Sequence, residues 1–301
     1  MIVGTAAPTV EVMELRVGCP MWAYRAWHGH PLPERVAKDE QLAAYAEWCN
    51  AVEGNTTFYG LPAATTVASW ADQAPADFRF LFKLPRAITH ERRLRHADAE
   101  VGELFALLAP LGARAEQVSI QLPPTFGPPE LGALAAFVRR LPSLGAEGHR
   151  IAVEVRHPGF FDGSVARSTL ARVLADVGGE WIVLDSTTLF AARPTSEAER
   201  ETRARTPRLP VHRTALSDRP IVRFIGRDDP PATVAGWQPW IPVVAAWLRE
   251  GRTPTVFVHT PDNVDAILLA RLFHDQVRAV VPELSPLPVP APPPGVQASL
   301  F

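Results

Sequence analysis

Glu53, Lys83, Gln121, Glu154, Asp185 and His259 each stand at or near the end of a short apolar, β-branched or aromatic run, and Arg223 lies within another. Carboxylates at two such ends could form an acid/base pair, and a glycosidase needs two of them about 5–5.5 Å or 6.5–9.5 Å apart across a sugar. An internal ion pair of Glu53 or Glu154 with Lys83 or Arg156 is the competing structural reading. His157, between Arg156 and Pro158, suits general acid/base work; it would serve equally as a cap ordering its loop. Lys83, Arg156, Arg223 and Arg227 supply cations, and arginine forks match carboxylate or phosphate oxygens in pairs. Trp22, Trp27, Phe58 and Tyr59 could form a platform for a sugar ring. Asn55, His90 and Gln121 complete the polar set, and Glu53, Lys83, Glu154, His157 and Asp185 are the expected catalytic residues. The expected substrate is anionic or sugar-like, with a nucleotide or nucleic acid among the options.

Metal ligands are not evident. His28-Gly29-His30 has a spacing that metal sites use but lies several residues beyond the nearest apolar run, and Cys19 and Cys49 form no CxxC pair. No resident cofactor is assigned. The chain carries 30 basic and 32 acidic residues, a formal net charge of −2, so no overall field draws it to DNA or to an anionic membrane. Only Lys38 and Lys83 of the basic residues are lysines. A composition that disfavours lysine leaves one where an ammonium is needed, which marks Lys83; Lys38 reads as a surface residue at a helix start.

These residues need elements to position them. The candidate strands are Leu15–Cys19, Ala51–Glu53, Phe78–Lys83, Gln117–Gln121, Ile151–Val155, Trp181–Asp185, Ile221–Ile225 and Thr255–His259. Between them lie segments with apolar residues at three- and four-residue spacing: 40–48, 65–73, 101–108, 130–140, 164–177, 235–249 and 264–278. Residues 189–219 have no clean period and read as a long excursion with room for a short helix. Alternation of strand and helix implies parallel strands with right-handed crossovers. Eight such units in roughly 250 residues predict an α/β fold, a single (β/α)8 TIM barrel whose chemistry sits at the C-terminal strand ends. An open doubly wound sheet is the runner-up, and the GxGxxG turn that would favour it is absent.

The runs Gly18–Trp27, Val52–Tyr59 and Phe80–Lys83 followed by Ile88-Thr89-His90 resemble the YecE-like family, domain-of-unknown-function family 72. So do Gln121-Leu122-Pro123-Pro124, Glu154-Val155-Arg156-His157-Pro158 and Arg223 with Gly226-Arg227. The motifs keep the family's order over residues 15–275. The resemblance implies a TIM barrel and supplies no reaction. Two departures stand out. Gly54 replaces an aliphatic residue, and the last strand ends in His259-Thr260-Pro261-Asp262-Asn263 where the family often has an Asn pair.

Residues 1–14 form a lead, 15–281 the barrel domain, and 282–301 a Pro-rich linker and terminal peptide. Seven prolines fall between Pro282 and Pro294, favouring an extended spacer. Gln297-Ala298-Ser299-Leu300-Phe301 resembles the pentapeptide that docks on the bacterial DNA sliding clamp, with Gln297 as anchor and Leu300 and Phe301 for an apolar pocket. The alternatives are that Leu300 and Phe301 dock on their own barrel, and that the whole chain is a noncatalytic ligand-binding adaptor of a replication or repair complex. With no run of 18 apolar residues and no basic leader, a cytoplasmic protein without a membrane role is expected.

Overall fold

Near-continuous apolar strands bounded by turns are what a parallel sheet covered on both faces requires. The computed structural model, which describes residues 13–163 and 165–290, builds such a sheet. Its strands are β1 (Arg16–Cys19), β2 (Ala51–Gly54), β3 (Arg79–Lys83), β4 (Gln117–Gln121), β5 (Arg150–Glu154), β6 (Glu180–Trp181), β7 (Val183–Asp185), β8 (Ile221–Ile225) and β9 (Thr255–His259). All pairings are parallel, in the order β6-β5-β4-β3-β2-β1-β9-β8-β7. The two edge pieces are halves of one interrupted strand. β6 pairs with β5, β7 pairs with β8, and Ile182 between them donates its N–H to Val153 O at 2.9 Å. The expected sixth strand is therefore split, and the sheet bends round into a nearly closed barrel.

Side chains alternate faces along each strand. The inward positions Ala51, Leu81, Ala152, Ile182, Ile221 and Phe257 form a separate buried cluster, the plug of the barrel. The outward positions, such as Val52, Phe80, Val118, Val153, Val222 and Val256, join the larger core beneath the helices. Two residues beyond the plug on the same face come Glu53, Lys83, Glu154, Arg223 and His259. One periodicity thus fixes both the dry interior and the polar layer above it.

The helices differ from the sequence expectation in detail. The helix expected over 235–249 is two, Pro230–Trp237 and Trp240–Arg249, because Pro239 lacks the N–H that a continuous helix would use. The excursion holds a short helix, Thr187–Phe190, and a longer one, Glu197–Arg205, which Ser196 caps by accepting from Glu199 N. Gly54 is explained by crowding: a Cβ there would lie 2.2 Å from Cδ1 of Phe82.

The packed region runs past Val281, where the sequence put the start of the linker. Leu284 and Leu287 are buried in the main core, and Ser285 N donates to Met13 O at 3.4 Å. The prolines space these leucines so that they reach the core without a helix. Gln297, Leu300 and Phe301 lie outside the described residues. Among the described residues, no helix is long and apolar enough to cross a membrane.

Candidate functional site

A cavity of about 790 Å³ opens at the C-terminal ends of the strands. Of the residues singled out in sequence, Trp22, Glu53, Asn55, Phe58, Tyr59, Lys83, Gln121, Arg156 and Arg223 line it. Both lysines of the chain, Lys38 and Lys83, are on its wall.

The floor is an ion network. Arg223 sits between two carboxylates: its Nε donates to Glu53 Oε1 and its Nη1 to Glu154 Oε2. Nη2 of Arg223 lies 3.4 Å from Glu53 Oε2. Glu154 also accepts from Arg156 Nε at 2.6 Å. Lys83 Nζ donates to Gln121 Oε1 at 3.1 Å and stands 3.7 Å from Glu53 Oε2. His259 Nε2 is 3.3 Å from the same oxygen, at an angle that gives no full hydrogen bond. Asn55 Nδ2 holds Pro20 O at 2.7 Å and reaches toward Glu53 Oε2 at 3.5 Å, tying the first and second strand-end loops together.

Burial and charge set the protonation of this floor. Burial alone pushes the Glu53 carboxyl upward, but the Arg223 and Lys83 cations overrule it and hold the group well below the usual carboxylate range. Glu154 is likewise opposed by burial, yet Arg156, Arg223 and Lys83 bring it down to about 2. Lys83 is lowered to about 8 by burial and by the Arg223 cation, against the pull of Glu53 and Glu154. His259 is lowered by burial and Arg223 despite Glu53, so it is neutral at pH 7. Glu53 and Glu154 are both ionised. A glycosidase pair, in which one carboxyl must be protonated to act as acid, does not match this floor.

Two donor groups are left over. Among the described residues the terminal guanidinium nitrogens of Arg156 have no hydrogen-bond partner, and Lys83 spends one of its three donors on Gln121. The floor holds three cations against two carboxylates, and Lys38 and Arg205 add positive charge at the rim. The potential favours an anion.

The other expected residues fall elsewhere, each for a local reason. Asp185 follows the inward residue Leu184 by one position and so faces the helices. It accepts from Thr187 N at 2.9 Å, Thr187 Oγ1 at 2.6 Å and Trp240 Nε1 at 2.7 Å, and holds the loop after β7. His157 caps the short turn Pro158–Phe160, its Nδ1 accepting from Gly159 N at 3.0 Å. Arg227 is bound by Glu199 through Nε at 3.0 Å and Nη2 at 3.1 Å, and so anchors the excursion helix. His90 packs against Phe58, with ring centroids 5.2 Å apart, behind the cavity wall. Its titration is lowered to about 4 by burial and by Arg156, Arg86 and Arg93. Trp27 is buried and donates to Asn263 O at 2.9 Å, so it belongs to no sugar platform. Trp22 (edge-on to Trp70), Phe58 and Tyr59, the last 84% exposed, are the platform candidates that line the cavity.

The sequence placed His259, Thr260 and Asn263 at the end of the last strand without assigning them a role, and left Lys38 and Arg205 out of the site; all five line the cavity. His259 carried a signal, since it stands two residues past the plug residue Phe257, as Glu53 stands past Ala51. Arg205 carried none, because it arrives on the excursion helix. Among the described residues no group of three or more His, Cys, Asp or Glu side chains is placed to hold a metal ion.

Comparison with known proteins agrees with this architecture. The family model described as "Protein of unknown function DUF72" matches residues 16–294. The chain belongs to the DUF72 family. It is 40% identical over 286 residues to the UPF0759 protein YecE of Escherichia coli K12, a match covering 95% of this chain and 99% of that one. The YecE protein of Escherichia coli O157:H7 matches equally. Solved DUF72 structures from Thermotoga maritima and Enterococcus faecalis superpose with TM-scores of 0.65 and 0.64 at 18% identity. They cover 89% and 91% of this chain and 99% and 100% of their own. At that identity the likeness concerns the DUF72 barrel, and none of these names states a reaction.

Proposed function

We propose that the barrel mouth is the active site of an enzyme acting on a small substrate that carries a phosphate or carboxylate. The observation that carries this reading is the pair of unspent cationic donors, Lys83 Nζ and the Arg156 terminal nitrogens, on the floor of an open cavity of about 790 Å³. That size is ordinary for a small-molecule site. Arg156 is the anion-binding group and Lys83 the group that changes protonation near working pH. Glu53 and Glu154, held ionised by Arg223, position these cations and do not act as bases.

The noncatalytic adaptor is the second reading, favoured by the same locked carboxylates. Isothermal titration with inorganic phosphate, sugar phosphates and dicarboxylates, paired with an assay of substrate turnover for each binder, separates the two. Binding without turnover of any ligand leaves the adaptor. No binding of any anion removes both. Recruitment to the DNA sliding clamp by residues 297–301 is proposed on their sequence alone. A fluorescence titration of a peptide spanning 290–301 against the clamp tests it, with the Leu300→Ala/Phe301→Ala peptide as control. Equal binding by the two peptides ends that proposal.

A further inference from the structure

We propose that Lys83 is a nucleophile, forming an imine with the carbonyl carbon of an aldehyde or ketone substrate whose anionic group rests on Arg156. This rests on the anionic-substrate reading above and adds the reactive group of that substrate.

The argument begins with position. Lys83 ends β3 on the inward face, two residues above the plug residue Leu81, so its stem is held by the barrel wall and its Nζ opens onto the cavity. The groups that face it come from five other strands around the floor: Glu53 from β2, Gln121 from β4, Glu154 and Arg156 at the end of β5, Arg223 from β8 and His259 from β9. Two ionised carboxylates meet two guanidiniums, and His259 is neutral. The ammonium therefore receives little net attraction to set against the loss of water. Glu53, at 3.7 Å, is beyond hydrogen-bond range and is bound by Arg223. An amine so placed gives up its proton near pH 8, and the neutral amine is the nucleophilic form.

The step balances without an external oxidant or reductant. The Nζ lone pair attacks the carbonyl carbon and the C=O π pair moves to oxygen. Two protons of the amine leave with that oxygen as water, and a C=N bond remains. The aldehyde or ketone must be small and must carry its charge within reach of Arg156.

The lysine content makes the test direct, because the only amines besides the amino terminus are Lys38 and Lys83, and both line the same cavity. Full-length protein is incubated with glycolaldehyde phosphate, reduced with borohydride and digested, and the adduct is located by peptide mass spectrometry. Uncharged glycolaldehyde is run in parallel. Lys83 is expected to be labelled about tenfold or more faster than Lys38, because a drop of this size raises the neutral fraction roughly a hundredfold. The rate should be half-maximal near pH 8, and the phosphorylated aldehyde should react faster than the uncharged one. Labelling of Lys38 as fast as Lys83, or no adduct on Lys83 between about pH 7 and 10, overturns the nucleophile while leaving anion binding standing. Equal labelling of Lys83 by both aldehydes supports the nucleophile and overturns the anionic-substrate reading.

Discussion

Arg223 bridges Glu53 and Glu154, its Nε on one carboxylate and its Nη1 on the other, with all three side chains buried. The bridge joins strands β2, β5 and β8 across the top of the barrel. Removing it strands two carboxylates away from water. Loss of one partner from a buried ion pair costs about 3–5 kcal/mol. Arg223→Met is therefore expected to lower unfolding stability by about that amount in urea denaturation. Arg223→Lys should recover little, because a single ammonium lacks the fork that reaches both acids. A loss below about 1 kcal/mol, the range of a surface pair, would show that the bridge does not hold the barrel mouth.

The same network sets a response to acid. The Glu154 carboxyl is lowered from 4.5 to about 2, so the folded chain holds it ionised more readily than the unfolded chain does. Its stabilisation is complete above the unfolded value and is lost as pH falls through about 2. The size is about 3 kcal/mol, from roughly 1.4 kcal/mol per unit. Stability of Glu154→Gln should fall less steeply than wild type between about pH 4.5 and 2. Parallel curves would remove Glu154 from the acid response.

Period-two alternation is the sequence signal that brings most of these residues to the cavity floor. Glu53, Lys83 and Glu154 close apolar runs on the inward parity, Arg223 shares that parity from mid-strand, and strand ends are where barrel chemistry gathers. The same rule, applied by parity as well as by position, excludes Asp185: in the run Trp181–Asp185 the inward residues are Ile182 and Leu184. His157 and Arg227 were not decidable in this way. Both lie past their strands in loops, where alternation stops and capping or ion-pair partners choose the direction. Arg205 and Lys38 reach the cavity from segments distant in sequence, and local pattern does not encode that meeting. Leu284 and Leu287 were hidden by the prolines around them: with Val281 they are buried at a spacing of three, the period of a polyproline-type chain and not of a strand or an α-helix.

Lys83 has the opposite linkage to Glu154. Its titration is lowered from 10.5 to about 8, so between those values the unfolded chain binds the extra proton and folding stability rises with pH. Below pH 8 the buried ammonium opposes folding. Lys83→Met is expected to keep or raise stability near neutral pH, with the wild type gaining on it between about pH 8 and 10.5. Thermal unfolding of both proteins across that range reads the difference. A variant much less stable than wild type at pH 7 would mean that the pairing with Glu53 and Gln121 outweighs the desolvation of the ammonium.

Asp185 tests the boundary between structure and chemistry. Its carboxylate is fully engaged by Thr187 and Trp240, away from the cavity. Asp185→Ala leaves a buried indole N–H without an acceptor, a loss of about 1–3 kcal/mol. Phosphate affinity should be unchanged in the folded variant. A large loss of affinity with intact stability would return Asp185 to the site.

Arg156 gives the sharpest test of the anion reading. Its Nε is fixed on Glu154, which aims the guanidinium, while its terminal nitrogens are the unspent donors at the cavity floor. A hydrogen bond to a charged group contributes about 1.5–3 kcal/mol, which is roughly a ten- to hundredfold change in affinity. Arg156→Gln should weaken binding of inorganic phosphate by that factor. Arg205→Gln at the rim should weaken it far less, because Arg205 is 75% exposed and held by Glu201, where screening is strong. Both affinities are read by isothermal titration at two salt concentrations. If the rim variant loses as much as the floor variant, the anion is held by the diffuse field of the mouth and Arg156 is not its seat.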